Sequence, residues 1–285
     1  MSEEKEKWDL IIRPRVRWFE FNFEEIWRYR DLVMLFVKRD FAAHYTQTVL
    51  GPMWHLLQPI LTTLIFLLVF SRIANIPTDG IPPILFYMSG ITIWNYFSFC
   101  LTTISGTFVI NANIFGKVYF PRIILPVSVI ASNLIRFAIQ FSLLIFTIIV
   151  LYFRGVDVHV TLRFWIWLPV IIALVAGFAL GAGLLMASLT AKYRDLNVLL
   201  TFAVQLYMYA TPIAYPMSHV ERSSFAWLIK LNPLSPIVEA FRYSLFGAGT
   251  FTPSDLLYSA GWITFVFAAG LILFNRVEKK SMDTV

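Results

Sequence analysis

Few residues of this chain stand where an acid, a base or a cation could do chemistry. One cation, Arg136, stands with Asn133 and Gln140 as the interruptions of the apolar run from Ile123 to Phe153. A cation inside a membrane segment costs about 2.5–3.5 kcal/mol on insertion scales, so it needs a partner or a purpose. The readings open are contact with an anionic lipid headgroup, snorkelling towards the cytoplasmic interface, or a hydrogen bond with Asn133 or Gln140 one turn away. Arg13, Arg15 and Arg17 alternate with Pro14, Val16 and Trp18 near the amino terminus. They read as a basic, aromatic tail resting on anionic headgroups, or as a site that gathers one such headgroup. Asp40 and Asp195 are the acids closest to the apolar segments on the charged side, and each stands beside an arginine. His44, His55, His159 and His219 have no metal-ligand spacing, so no metal is expected. No Ser, His and acid arrangement suggests a nucleophile, and Gly116-Lys117 lacks the rest of a phosphate-binding loop.

The elements that must hold these groups are membrane helices. The 285 residues are 58% hydrophobic and 14% charged, well below the quarter usual in soluble domains, which predicts an all-α polytopic membrane protein. One cysteine, Cys100, excludes an intrachain disulfide. The first fifty residues lack an apolar run of signal-peptide length, so no cleavable signal is expected. The net charge of +6 is distributed as anionic lipid and membrane orientation demand, and argues against nucleic acid.

Residues 1–55 form the first region. Over 24–45 an amphipathic helix is predicted, with Ile26, Tyr29, Val33, Phe36, Val37 and Phe41 on one face. Glu24, Arg28, Asp31, Lys38 and Arg39 fall on the other, free to meet a partner. Such a helix lies in the membrane interface and does not span it. Gly51-Pro52 breaks it, and six spans follow at about 56–73, 84–109, 123–153, 164–189, 196–215 and 256–274. The third is long enough for its first turns to lie in the interface. Gly177, Gly181 and Gly183 in the fourth permit close helix packing. Between spans five and six, residues 217–255 mix charge with apolar pieces too short to span, which predicts two short re-entrant or interfacial helices. Residues 276–285 form a charged tail.

With the amino terminus inside, sixteen of the 23 Lys and Arg fall in the inner segments, so six spans with both termini cytoplasmic is the consistent topology. The six spans contain no Asp, Glu or His. Ion-coupled transporters place such residues at the midplane, so coupling to protons or sodium is not expected. If the chain moves a solute uphill, a separate polypeptide supplies the energy.

Several motifs then stand in order. Tyr45-Thr46-Gln47-Thr48-Val49-Leu50-Gly51-Pro52-Met53-Trp54, with Leu57-Gln58-Pro59, resembles the first signature of ABC-2 type permeases that export polysaccharides. Phe115 to Pro126 resembles the second, with Gly116 where a long aliphatic residue is expected. Lys192-Tyr193-Arg194-Asp195-Leu196, Pro212-Ile213-Ala214-Tyr215-Pro216, and Asn232-Pro233-Leu234 with Glu239-Ala240-Phe241-Arg242 resemble three more. The resemblance runs from about residue 30 to the end.

It implies a homodimer of six-span subunits in the bacterial inner membrane, with two separately encoded ABC ATPase subunits that bind the ATP and magnesium. This chain itself would hold no cofactor and would not be an enzyme. The implied cargo is a lipid-linked polymer such as an O antigen of lipopolysaccharide, a capsule or a teichoic acid, on an undecaprenyl carrier. Arg28, Asp31, Lys38, Arg39 and Lys117 are the expected ATPase-docking residues. Arg136, with Arg13, Arg15 and Arg17, is the candidate for the substrate headgroup. Tyr87, Trp94, Tyr96, Tyr207, Tyr209 and Tyr215 are candidate sugar-lining aromatics, because ring stacking on a sugar face is weak and tolerant. An interfacial aromatic belt would also explain some of them. Residues two apart on a helix point about 200° apart, so only one of Tyr207 and Tyr209 can face a pore. The competing reading is a membrane-embedded lipid-processing enzyme such as a glycosyltransferase, which would need carboxylates or a metal near the interface.

Overall fold

A computed structural model describes residues 23–45, 51–115, 120–220, 224 and 226–282. Among them all regular structure is helical. Two helices precede the membrane segments: α1 (Phe23–Arg28) and α2 (Arg30–Tyr45). The chain resumes with a single 3₁₀ turn, Gly51–Met53, and enters α3 (Trp54–Phe66), which continues as a π-helical stretch over Leu67–Ile73. Then come α4 (Pro83–Ser105), the short α5 (Thr107–Ile110) and α6 (Ala112–Phe115), and α7 (Ile124–Phe153). After these follow α8 (Phe164–Thr190) and α9 (Leu196–Tyr209). Next are α10 (Met217–Val220), α11 (Ala226–Leu231), α12 (Leu234–Phe246) and α13 (Pro253–Met282).

Among the described residues five helical segments are long and apolar enough to cross a membrane: Trp54–Ile73, α4, α7, α8 and Pro253–Glu278. A sixth apolar helix, α9, has 14 residues, or roughly 21 Å, against a hydrocarbon core of about 30 Å. The expected span 196–215 is therefore helical only to Tyr209. The expected third span is one continuous 30-residue helix. The last helix passes through the charged residues after Phe274 rather than stopping there.

The second membrane helix, α4, is the centre of the bundle. It touches α3, α7, α8, α9 and α12, and sixteen of its 23 residues are buried. The most extensive pairing is between α8 and α13. The glycine pattern in α8 explains how close they come. A Cβ on Gly181 would lie 2.6 Å from the Phe267 Cα, and one on Gly270 would lie 2.2 Å from the Gly181 carbonyl oxygen. No side chain fits either place, so the two backbones touch and gain dispersion contact along the crossing.

Connectors gather at two ends. At the α2 end, the Arg122 backbone N–H donates to Glu278 on α13 at 3.1 Å, and Thr190 Oγ1 donates to the Ser105 carbonyl at 2.6 Å. At the α12 end, Ser218 Oγ donates to Asp79 Oδ1 at 2.7 Å, and the Thr161 N–H donates to the Leu245 carbonyl at 3.0 Å. The α2 helix and the last turns of α13 thus lie at the same end.

Overpacking a tight crossing costs about 1–3 kcal/mol. Gly181→Ala is expected to lower the unfolding transition of the detergent-purified protein. Gly261→Ala, on the partner helix α13 but with nothing within 4 Å of its added Cβ, is expected to leave it in place. Thermal melts of both variants check this.

Candidate functional sites at the two ends

The α2 end is built on an apolar seam. Ile26, Tyr29, Leu32, Val33 and Phe36 pack against Ile114, Phe115, Phe120, Ile124 and Leu125. The helical spacing of these residues gives α1 and α2 one apolar stripe. That stripe faces the protein itself, at the first turn of α7. Phe41, expected on the same stripe, is exposed, because the seam ends at Phe36 and Val37. Arg28, Asp31, Lys38 and Arg39 are exposed on the other side. Arg39 is partly committed: it pairs with Asp40 at 2.8 Å and lies over the Phe36 ring at 4.7 Å. Asp31 makes only a loose contact of 4.0 Å with Arg30. Arg122 is buried here, its guanidinium 4.8 Å from the Phe115 ring. Lys117, Arg13, Arg15 and Arg17 lie outside the described residues.

Arg136 is half-buried on α7, 5.8 Å from the Phe99 ring of α4. Its neighbours have bonds of their own. Asn133 Nδ2 donates to the Val129 carbonyl, and Gln140 Oε1 accepts from Asn95 of α4 at 3.1 Å.

The expected aromatics divide into three groups. Tyr87, Trp94 and Tyr96 belong to α4 and are buried inside the subunit, since α4 is central. Tyr87 packs on Phe66, Phe70 and Phe86, Trp94 on Phe97, and Tyr96 on Phe137. Tyr207 turns inward against Trp94 and Phe97 and donates its hydroxyl to Asn232 Oδ1. Tyr209 is 57% exposed, and Tyr215 donates to its carbonyl at 2.7 Å. The two tyrosines therefore diverge, as a helix requires.

At the α12 end the chain does what membrane backbone usually avoids: it leaves the helix at Ala210. Freed carbonyls in hydrocarbon are costly unless met. The four carbonyls from Ala210 to Ile213 are met. Ala210 accepts from Asn232 Nδ2 at 2.9 Å, and Thr211 accepts from the Ile213 N–H at 2.7 Å. Pro212 accepts from Arg242 Nη1 at 2.6 Å, and Ile213 from Arg242 Nη2 at 3.0 Å. Arg242, 1% exposed, also pairs with Glu239 at 3.3 Å and lies 3.6 Å over the Phe86 ring. Gly90 leaves the room: a Cβ there would stand 2.7 Å from Nη2. Glu239 and Arg242, three apart on α12, were not singled out as site residues from sequence. The available signal was an opposite-charge pair at helical spacing within an apolar stretch.

The family profile described as ABC-2 type transporter matches residues 31–246, from the first turn of α2 to the last residue of α12. The chain belongs to the ABC-2 type transporter family. It is similar to the O-antigen export system permease protein RfbA of Klebsiella pneumoniae, 27% identical over 252 residues, covering 87% of this chain and 92% of that protein. It is also similar to the protein of the same name from Myxococcus xanthus, 27% identical over 220 residues, 76% of this chain and 81% of that one. As an ABC-2 transporter it is a multi-pass membrane protein, and the glycosyltransferase reading is set aside. The Arg242 network lies within the matched region, as does most of the α2 seam.

Removing one partner of a buried ion pair costs about 3–5 kcal/mol. Arg242→Ala of this ABC-2 transporter strands Glu239 and two carbonyls, and is expected to lower stability by that amount. Arg242→Lys should lie between, since a point ammonium cannot serve both carbonyls with the geometry of a guanidinium. Denaturant or thermal unfolding of the purified variants gives the order.

Proposed function

We propose that this protein is the membrane permease of an ATP-driven exporter that moves a lipid-linked polysaccharide across the bacterial inner membrane. The observation that carries this reading is the likeness to O-antigen export permeases over 87% of the chain. The crossing segments carry Asp, Glu or His only near their ends, at His55, Asp255 and Glu278, which supports it, because no such group stands at mid-span for ion coupling and ATP is left as the source of work.

The permease functions as a homodimer with two ABC ATPase subunits, which hold ATP and magnesium. Its α2 end faces the cytoplasm, in agreement with the excess of Lys and Arg there. The exposed charges Arg28, Asp31, Lys38 and Arg39, with Lys117, form the docking surface. Because α2 is seated on the start of α7, a push on that surface reaches a membrane helix directly. The carrier is a polyprenyl phosphate or pyrophosphate of the undecaprenyl type, and Arg136, with Arg13, Arg15 and Arg17, is the candidate for its headgroup.

A docking surface of exposed charges has many weak members, each contributing about 0–1 kcal/mol. Single alanine variants at Arg28, Lys38 or Arg39 are expected to retain the ATPase. Reversing Arg28, Lys38, Arg39 and Lys117 together should abolish both co-purification and export. A reversed variant that keeps its ATPase and exports polymer would falsify the docking assignment. Loss of export with accumulation of unexported glycan in cells lacking the permease tests the function itself.

Of Tyr207 and Tyr209 we assign the sugar contact to Tyr209, because it is exposed while Tyr207 packs on the α4 core and bonds to Asn232. Tyr209→Ala should reduce export with an unchanged melting temperature. Tyr207→Ala should reduce stability, by about 3–5 kcal/mol if the site behaves as a core aromatic. Export assays at matched protein level, paired with melts, separate the two.

A further inference from the structure

Beside the Arg242 network lies a cavity of about 910 Å³, between α11, the start of α12, the connector that follows it and the start of α13. Cavities of about 300–1,000 Å³ enclose organic ligands the size of a short oligosaccharide. Three rings line it: Trp227, Phe251 and Tyr258. Two are immobile. Phe251 is packed edge-on against Trp167 at 5.7 Å and tilted against Tyr243 at 5.3 Å. Tyr258 donates its hydroxyl to the Leu231 carbonyl at 2.9 Å, tying α13 to α11. Trp227 is 60% exposed at the wall formed by α11.

Polar groups lie among the rings. Asp255 takes the Thr252 N–H and hydroxyl on Oδ2, and Oδ1 has no partner among the described residues. Glu239 lines the cavity while its Oε1 is held by Arg242. Ser235 lines it too, is 1% exposed, and its hydroxyl has no hydrogen-bond partner among the described residues. An unsatisfied buried hydroxyl is costly, so a native wall that carries one points to a ligand or solvent group that completes it.

We propose that this cavity binds pyranose units of the exported glycan on the far side of the membrane. The chemistry is that of carbohydrate recognition. Rings take the C–H face of a sugar, and carboxylates and a hydroxyl take its hydroxyl groups, with orientation fixed by a few polar atoms. An acyl chain fits less well, because it would cover Asp255 Oδ1 and the Ser235 hydroxyl, which have no partners among the described residues. The site is distinct from the α9 surface that carries Tyr209, and it rests on the polysaccharide reading above. It gives the emerging chain a place to sit outside the bundle while the next segment is moved.

The test uses the permease–ATPase complex in lipid nanodiscs and the host strain's glycan, freed of its lipid by mild acid. Binding is followed by tryptophan fluorescence. Saturable binding is expected, weakened about tenfold by Trp227→Ala, nearly restored by Trp227→Phe, and weakened severalfold by Asp255→Asn. Gel filtration and melts confirm that each variant is folded. The proposal is overturned if the wild type does not bind the glycan, or if Trp227→Ala binds it as well as the wild type, as a mere interfacial anchor would. It is overturned equally if brominated phospholipid quenches the signal of Trp227 and glycan does not protect it. Failure of these arms leaves the exporter reading untouched, since that stands on glycan accumulation in cells without the permease.

Discussion

The guanidinium of Arg242 is the interaction on which the α12 end depends. Backbone that leaves a helix inside a membrane must find donors for its carbonyls. This chain leaves α9 at Ala210, well short of a full crossing, and Arg242 supplies the donors for Pro212 and Ile213. Charge on that donor then requires Glu239, and its bulk requires a glycine at position 90 of α4. Phe86 closes the other side of the planar group. Asn232 performs the parallel task for Ala210, and its Oδ1 anchors Tyr207 and the Leu234 N–H. A segment too polar to be lipid-facing and too short to span is thereby held as part of the subunit.

The two ends are built from different forces. The α2 end is an apolar seam with the charges of α2 turned outward, and only Arg122 is buried beneath it among the described charges of the seam, so the helix keeps its seat without using its own charges. The α12 end has its charges turned inward, where their loss breaks the backbone's hydrogen bonding. Surface charges are suited to a partner that must bind and release, whereas buried ones are suited to fixing a shape.

Much of this organisation was legible in the residues. The spans stand out by hydropathy, the amphipathic stripe of α2 by its period, and the α8 crossing by three small residues in one helix. Short helices between α9 and α13 follow from prolines and charge. Harder to read was which apolar helix is central, because lipid and protein core favour the same side chains. That is why Tyr87, Trp94 and Tyr96, plausible as lining residues in a sequence, turn out to be core residues of α4. The end of α9 was equally hidden: Pro212 marks a stop, but the stop at Tyr209 is stabilised by Asn232 and Arg242, more than twenty residues away. Pairings at that distance leave no local period. The cavity-lining Trp227, Phe251 and Tyr258 come from three elements and share no motif.

The unbroken length of α7 has a mechanical consequence. It begins in the seam that seats α2 and ends beside the connector that bonds to α12 through Thr161 and Leu245. A straight helix of 30 residues is a rod of about 45 Å. Rods amplify rotation: tilting one by about 5° about its foot swings its tip by roughly 4 Å, more than the reach of a hydrogen bond. A helix broken at mid-membrane would absorb such a tilt at its hinge. This one is an unjointed lever, and what leans on its foot is felt at its tip.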